Sequence, residues 1–204
     1  MPEIARLTGR TGSNELDFVE RVHTPTEIME YAVELHLNCL LLSNTVTELE
    51  RFGIERARST IHNWVQKADL EPREGCNPEQ DALDETVVKV DGERFWLYGA
   101  VDPVSGRILH VGLYPSRNTA TTRMFLAELA EKHHVEDAEI LVDGAPWLQA
   151  GLFELGMHFR HETFGERNPV KRVFQEIKRR TEQFYNNFSH ADPATVENWL
   201  QAIA

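Results

Sequence analysis

At residue 84 of this 204-residue chain the apolar residues change from helical spacing to strand spacing, and that change narrows the choice of fold more than any other feature. Beyond it, "TVVKV", "RFWLYGAVD" and "RILHVGLYP" are β-branched or aromatic runs, separated by "DGE" (91–93) and "PVSG" (103–106), both suited to hairpin turns. A helix is predicted at about 118–133, with Ala120, Met124, Phe125, Leu129 and Ala130 facing inward. The strand "AEILVD" (138–143), a helix near 146–155, a strand at "MHFRHE" and a long helix from about 168 to 188 follow. Three strands followed by alternating helices and strands imply an antiparallel meander that joins a mixed sheet covered by helices. A last amphipathic helix, "DPATVENWLQAIA", runs to the end without a C-cap, leaving open whether the native chain stops here or continues.

Upstream the pattern is helical. Residues 1–23 are polar, without clear periodicity, and read as an arm. "TPTEIMEYAVELHLN" starts with Thr24 as the expected N-cap, Pro25 at the first helical position and Glu27 three residues after the cap. Ile28, Tyr31, Ala32, Leu35 and Cys39 form its predicted apolar face. A second helix is expected from Ser43 to Arg51, a tight turn at "FGIE" with Gly53, and a third helix from about Arg56 with Ile61, Trp64, Val65 and Ala68 on one face. Three short helices with a glycine turn before the last suggest a helix-turn-helix module over 24–70. Arg56, Arg58, Ser59, His62, Asn63 and Lys67 would then be exposed to reach phosphates and base edges, while a plain trihelical packing unit is the alternative. Residues 71–82, with the stretch "EPREGCNPEQD", read as a linker to a domain over 83–204.

Composition excludes several classes. No apolar stretch approaches the roughly 20 residues that cross a bilayer, and no apolar h-region opens the chain, so a cytoplasmic protein without a membrane partner is expected. Cys39 and Cys76 are too few for a disulfide framework or a cysteine zinc site. A net charge of −12 argues, taken alone, against binding nucleic acid. Its distribution softens that: Arg167, Lys171, Arg172, Lys178, Arg179 and Arg180 face one acid, Glu176, within 167–180. An acidic background with basic islands fits either a halophilic protein or an ordinary acidic one.

Asp84 opens "DETVVKV" and Asp143 ends "EILVD". Two carboxylates at strand ends make a hard, oxygen-lined site for a divalent cation such as magnesium. The basic helix downstream points to a polyanionic substrate. At these residues the sequence resembles a family: "LDETVVKVDGERFWLYGAVDPVSGRIL", "LVDGAPWL" and "RNPVKRVFQEIKRRT" look like the catalytic segments of DDE transposases of small insertion sequences, nearest the IS-six type in its haloarchaeal branch. "ERARSTIHNWVQKADLEP" looks like the helix-turn-helix segment that precedes the catalytic domain in that group. The resemblance spans about residues 24–203.

It implies an α/β ribonuclease-H-like mixed sheet flanked by helices, preceded by the small helical module. It implies metal-dependent DNA cleavage and strand transfer at element ends, with Mg2+ or Mn2+ in a two-metal site about 3.5–4 Å across. Asp84 and Asp143 would be catalytic metal ligands, Lys178, Arg179 and Arg180 would grip phosphates, and the partners would be double-stranded DNA (terminal inverted repeats and target) and further copies of the chain. The family pattern places a glutamate on the last helix, three residues after an asparagine and seven before a basic residue. Asn168 and Lys178 match those flanks, but the position itself holds Lys171. Glu176 is the nearest acid, yet on a helix it falls on the flank opposite Lys171. The expectation is therefore a transposase impaired at its third ligand. The alternatives are an inactive, decayed or domesticated DNA-binding relative, and a ribonuclease-H-like nuclease without strand transfer. His133, His134, His158 and His161 are weaker metal candidates, and Trp147 is a core aromatic or a base-stacking one.

Overall fold

The computed structural model describes residues 24–38, 40–162, 168–183 and 188–204, without the side chains of 180–183. The described chain divides into two compact units, one up to Glu71 and one from Pro72 onward.

In the first unit, α1 (Thr26–Leu37), α2 (Leu42–Glu50) and α3 (Arg58–Ala68) pack against one another. The start of α1 differs from expectation. Pro25, not Thr24, holds the cap position and makes no side-chain cap bond, because Thr24 Oγ1 accepts from Arg56 Nε at 2.9 Å and Nη2 at 2.6 Å. The buried stripe of α1 is Met29, Ala32, Val33, His36 and Leu37, turned by about one residue from the predicted face. Both stripes are apolar, so periodicity could not choose between them. Burying His36 is tolerable because Nδ1 donates to the Leu40 carbonyl at 2.9 Å, and burial lowers its pKa. The link between α2 and α3 takes seven residues, Arg51–Ala57, rather than a tight turn, with Gly53 at φ 74°. Ile61, Trp64 and Val65 are buried as expected.

The second unit contains β1 (Gln80–Val90), β2 (Glu93–Val101), β3 (Ile108–Tyr114), α4 (Thr119–Lys132), β4 (Glu139–Val142), α5 (Pro146–Glu154), β5 (Phe159–His161), α6 (Asn168–Gln183) and α7 (Pro193–Ile203). The sheet order is β3-β2-β1-β4-β5, with β2 antiparallel to its neighbours and β4 and β5 parallel to β1. That is a ribonuclease-H-like sheet, as the element order implied. β1 starts earlier than its apolar run, at Gln80, because Gln80, Asp81 and Ala82 pair with Glu139, Ile140 and Leu141. The last residues of the expected linker are thus strand. α6 ends at Gln183, and Phe188, expected on that helix, lies in a turn where its carbonyl accepts from Asp91 N at 2.8 Å.

One face of the sheet packs on α4 and α5 through Leu83, Tyr98, Ile140, Val142, Phe125, Leu126, Leu148 and Leu152. On α4 the buried residues are Thr121, Thr122, Phe125, Leu126 and Leu129, while Ala120 is exposed and Met124 is 55% exposed, against expectation. Asn118 caps α4 through a reciprocal pair with Thr121. α7 runs beside the β3 edge, where Glu197 Oε1 accepts from Leu113 N at 2.7 Å and so occupies an edge donor.

Candidate active site

Strand register brings the two aspartates together. The β1–β4 pairs run Gln80↔Glu139, Asp81↔Ile140 and Ala82↔Leu141. The pairing ends there; extended by two residues the same register would align Asp84 with Asp143, which lies just past the end of β4, and the charges of both act on Glu85. In-register parallel residues point to the same face. Each carboxylate is anchored by its own backbone: Asp84 Oδ1 accepts from Glu85 N at 3.0 Å, and Asp143 Oδ1 accepts from Ala145 N at 2.9 Å. The second contact is an Asx turn that sets the step from β4 into α5.

The face they share is the one under α6. Asp84 lies opposite Gly99 in β2, and Phe174 sits on Gly99 so closely that an added methyl would lie 2.9 Å from its ring. Val170, Phe174 and Ile177 are the buried stripe of α6. Lys171, partly buried, is about 90° to one side of that stripe and Glu176 about 130° to the other. Glu176 also holds Arg179, with bonds of 2.7 and 2.8 Å to its guanidinium. It does not fill the place of a third ligand, and among the described residues no group of three or more His, Cys, Asp or Glu is arranged to hold a metal. Two adjacent carboxylates fit one hydrated divalent cation, whose remaining positions water and phosphate can occupy. They do not fit a pair.

Glu162 was missed by sequence reasoning. It follows β5, and its amide donates to the Val142 carbonyl at 2.8 Å. Its carboxylate pairs with Arg160 Nη2 at 3.2 Å. The overlooked signal was register, which a three-residue strand cannot reveal alone.

Glu85 was also missed. It lies opposite Tyr98, whose hydroxyl is 3.4 Å from Thr122 Oγ1 on α4, so Glu85 points to the other face from Asp84. Its side chain is 5% exposed. Trp147 Nε1 donates to Glu85 Oε1 at 3.2 Å, and Oε2 has no partner among the described residues. Burial, then the charges of Asp84 and Asp143, push its carboxyl up to about 7 against the pull of Trp147 and Arg117. Trp147 is thus neither pure core nor freely exposed.

The remaining candidates separate. Arg58, Ser59, Asn63 and Lys67 are exposed on α3 and His62 is half-buried, whereas Arg56 precedes the helix and is tied to Thr24 and the Glu55 carbonyl. Lys178 and Arg179 are exposed on α6, while the Arg180 side chain, like Arg167 and Cys39, lies outside the described residues. His133 is buried with both nitrogens occupied: Nδ1 accepts from Cys76 N at 3.2 Å and Nε2 donates to the Leu109 carbonyl at 2.8 Å. That removes it as a metal ligand. His158 and His161 are exposed.

Residues 80–196 match a family described as a DDE domain. An uncharacterized protein of Methanocaldococcus jannaschii is 33% identical over 170 residues, covering 83% of this chain and 78% of its own length. An uncharacterized protein of Aquifex aeolicus is 42% identical over 50 residues, 24% of this chain, and the chain spans only 41% of that relative. Among solved structures, the chain is similar to a simian T-cell lymphotropic virus intasome chain (13% identity, 84% of this chain and 66% of that one, TM-score 0.49). It is also similar to the HTLV-2 integrase catalytic core domain in complex with magnesium (15% identity, 63% and 85%, TM-score 0.46). A third is the catalytic core domain of BIV integrase (16% identity, 62% and 82%, TM-score 0.48).

Proposed function

The chain belongs to the DDE-domain transposase family, and on that premise we propose that it is an insertion-sequence transposase whose metal site is incomplete. In this reading it acts on DNA at element ends, with Asp84 and Asp143 holding one Mg2+ or Mn2+ on the face beneath α6. When bound, such an ion supplies Lewis-acid activation of the attacking hydroxyl and neutralises the leaving oxygen. The observation that supports the reading is the β1–β4 register, which would align Asp84 with Asp143 if extended two residues past Ala82 and Leu141.

Lys171 supplies the reason for incompleteness. Its ammonium sits on the helix that packs over Asp84, where it lowers the attraction for a second cation while favouring a phosphate oxygen. DNA would be held by the exposed residues of α3 and by Lys178 and Arg179, and these contacts weaken with salt. Self-association on paired DNA ends, a halophilic setting and a helix-turn-helix role for the first unit belong to the same proposal.

The second reading, a DNA-binding relative without catalysis, is favoured by the same Lys171. One experiment separates them: magnesium-dependent cleavage of terminal inverted-repeat DNA by the protein and by Lys171→Glu. The transposase reading expects weak cleavage that Lys171→Glu raises at least tenfold. No cleavage by either, with DNA affinity intact, selects the DNA-binding reading, and cleavage without preference for ends selects a nuclease.

A further inference from the structure

Arg117 stands in the loop between β3 and α4, in the same unit as the aspartates. Its guanidinium carbon lies 3.9 Å from the ring centre of Trp96 and 4.4 Å from that of Trp147. Two indoles therefore fix the side chain in place and leave the donor edge of the guanidinium to other partners. Among the described residues its ionic neighbour is Glu85, with Nη1 3.6 Å from Oε1, beyond hydrogen-bond distance. Among the described residues the guanidinium donates no hydrogen bond, and 41% of the side chain is exposed.

A guanidinium kept only to neutralise Glu85 would close on it in a bidentate pair. Here Glu85 Oε2 stays unpartnered instead, and Oε1 takes its bond from Trp147. The aromatic pair holds a five-donor fork beside the residue next to Asp84 without spending those donors on the described residues. A phosphodiester oxygen pair is the anion that such a fork matches. The entropic cost is low, because the cage is already assembled and the arginine loses little freedom on binding.

We propose that Arg117, presented by Trp96 and Trp147, is a DNA-phosphate site on the face of the sheet opposite Asp84, distinct from the basic residues of α3 and α6. The site rests on the DNA reading above, and it extends the DNA path over the side of the sheet that carries α4 and α5. It also explains how a chain of net charge −12 can engage a polyanion near its acids: a local, pre-ordered cation acts where the overall field is unfavourable.

The test uses the full chain and a fluorescein-labelled duplex oligonucleotide in EDTA, so that no metal contributes, with anisotropy titrations over a series of salt concentrations. Arg117→Gln is expected to bind about tenfold more weakly, as for loss of one charge-assisted contact, and to lower the salt slope by about one. Arg117→Lys is expected to keep the slope but bind several-fold more weakly, because an ammonium cannot make the paired contact. Thermal unfolding of each variant shows whether the fold is retained. A folded Arg117→Gln protein with unchanged affinity and slope overturns the site. If that variant does not fold, Arg117→Lys decides, and unchanged affinity there overturns it as well. A wild-type protein that binds no DNA overturns the DNA reading and this site together, whereas wild-type binding with indifferent variants overturns this site alone.

Discussion

Asp81 is completely buried on β1, and neither carboxyl oxygen has a hydrogen-bond partner in the described structure. Burial raises its pKa from 3.8 to about 8, with the Val101 backbone opposing and the Asp102 charge adding to the rise. Asp81 therefore stays protonated in the folded protein at neutral pH, while the unfolded chain ionises from about pH 4. The folded pKa lies above the unfolded one, so the contribution to stability is full below pH 3.8 and is lost as pH rises to about 8. That span corresponds to roughly 6 kcal/mol, and most of it has already gone at pH 7.

Asp81→Asn keeps the shape and removes the ionisation. Melting of wild type and variant should be compared between pH 4 and pH 9 at constant salt, because the other carboxylates cancel in the difference. Near pH 4 the two should melt within a few degrees of each other. By pH 8 the variant should be ahead by about 10 °C or more, at about 2–4 °C per kcal/mol for a chain of this size. An unfavourable fit of the buried amide would shift the whole difference by a constant but would not alter its slope with pH. Parallel melting curves across the range would refute the assignment of Asp81 as a buried neutral acid.

Three other perturbations follow from the same packing. Gly99→Ala puts a methyl 2.9 Å from the Phe174 ring, so a loss of about 1–3 kcal/mol in chemical denaturation is expected, with recovery in the Gly99→Ala, Phe174→Leu double variant. Asp143→Asn keeps an oxygen for the Ala145 amide, so its melting temperature should hold while manganese affinity, followed by electron paramagnetic resonance, falls at least tenfold. Trp147→Phe deletes the hydrogen bond that Glu85 Oε1 accepts from the indole and leaves that carboxylate more exposed to desolvation cost, which should lower stability by about 1–3 kcal/mol in urea titration.

Local order was legible in the residues themselves. Runs of β-branched and aromatic residues between hairpin turns announced β1 to β3, and the helices expected near 118–133 and 146–155 form as α4 and α5. The meander and the mixed sheet followed from element order, because short connections leave few ways to pair such strands. Where two faces of a helix were equally apolar, as on α1, or where a β-start lacked an apolar run, as at Gln80, local pattern had nothing to select with. Packing decided those: Leu40 satisfies His36, and Glu139 to Leu141 recruit Gln80 to Ala82.

The candidate site divides in the same way. Sequence by itself determined which acids were present, that Lys171 stands where a third was expected, and that Asp84 and Glu85 must leave a strand on opposite faces. Tertiary structure alone decided which residues 59 positions apart become neighbours, since register between β1 and β4 is set by the whole sheet and not by either strand. It also decided that Arg117 lies between two tryptophans from different elements, a contact that no spacing along the chain encodes. Chemistry travels with the residue type, but proximity is a property of the packed sheet.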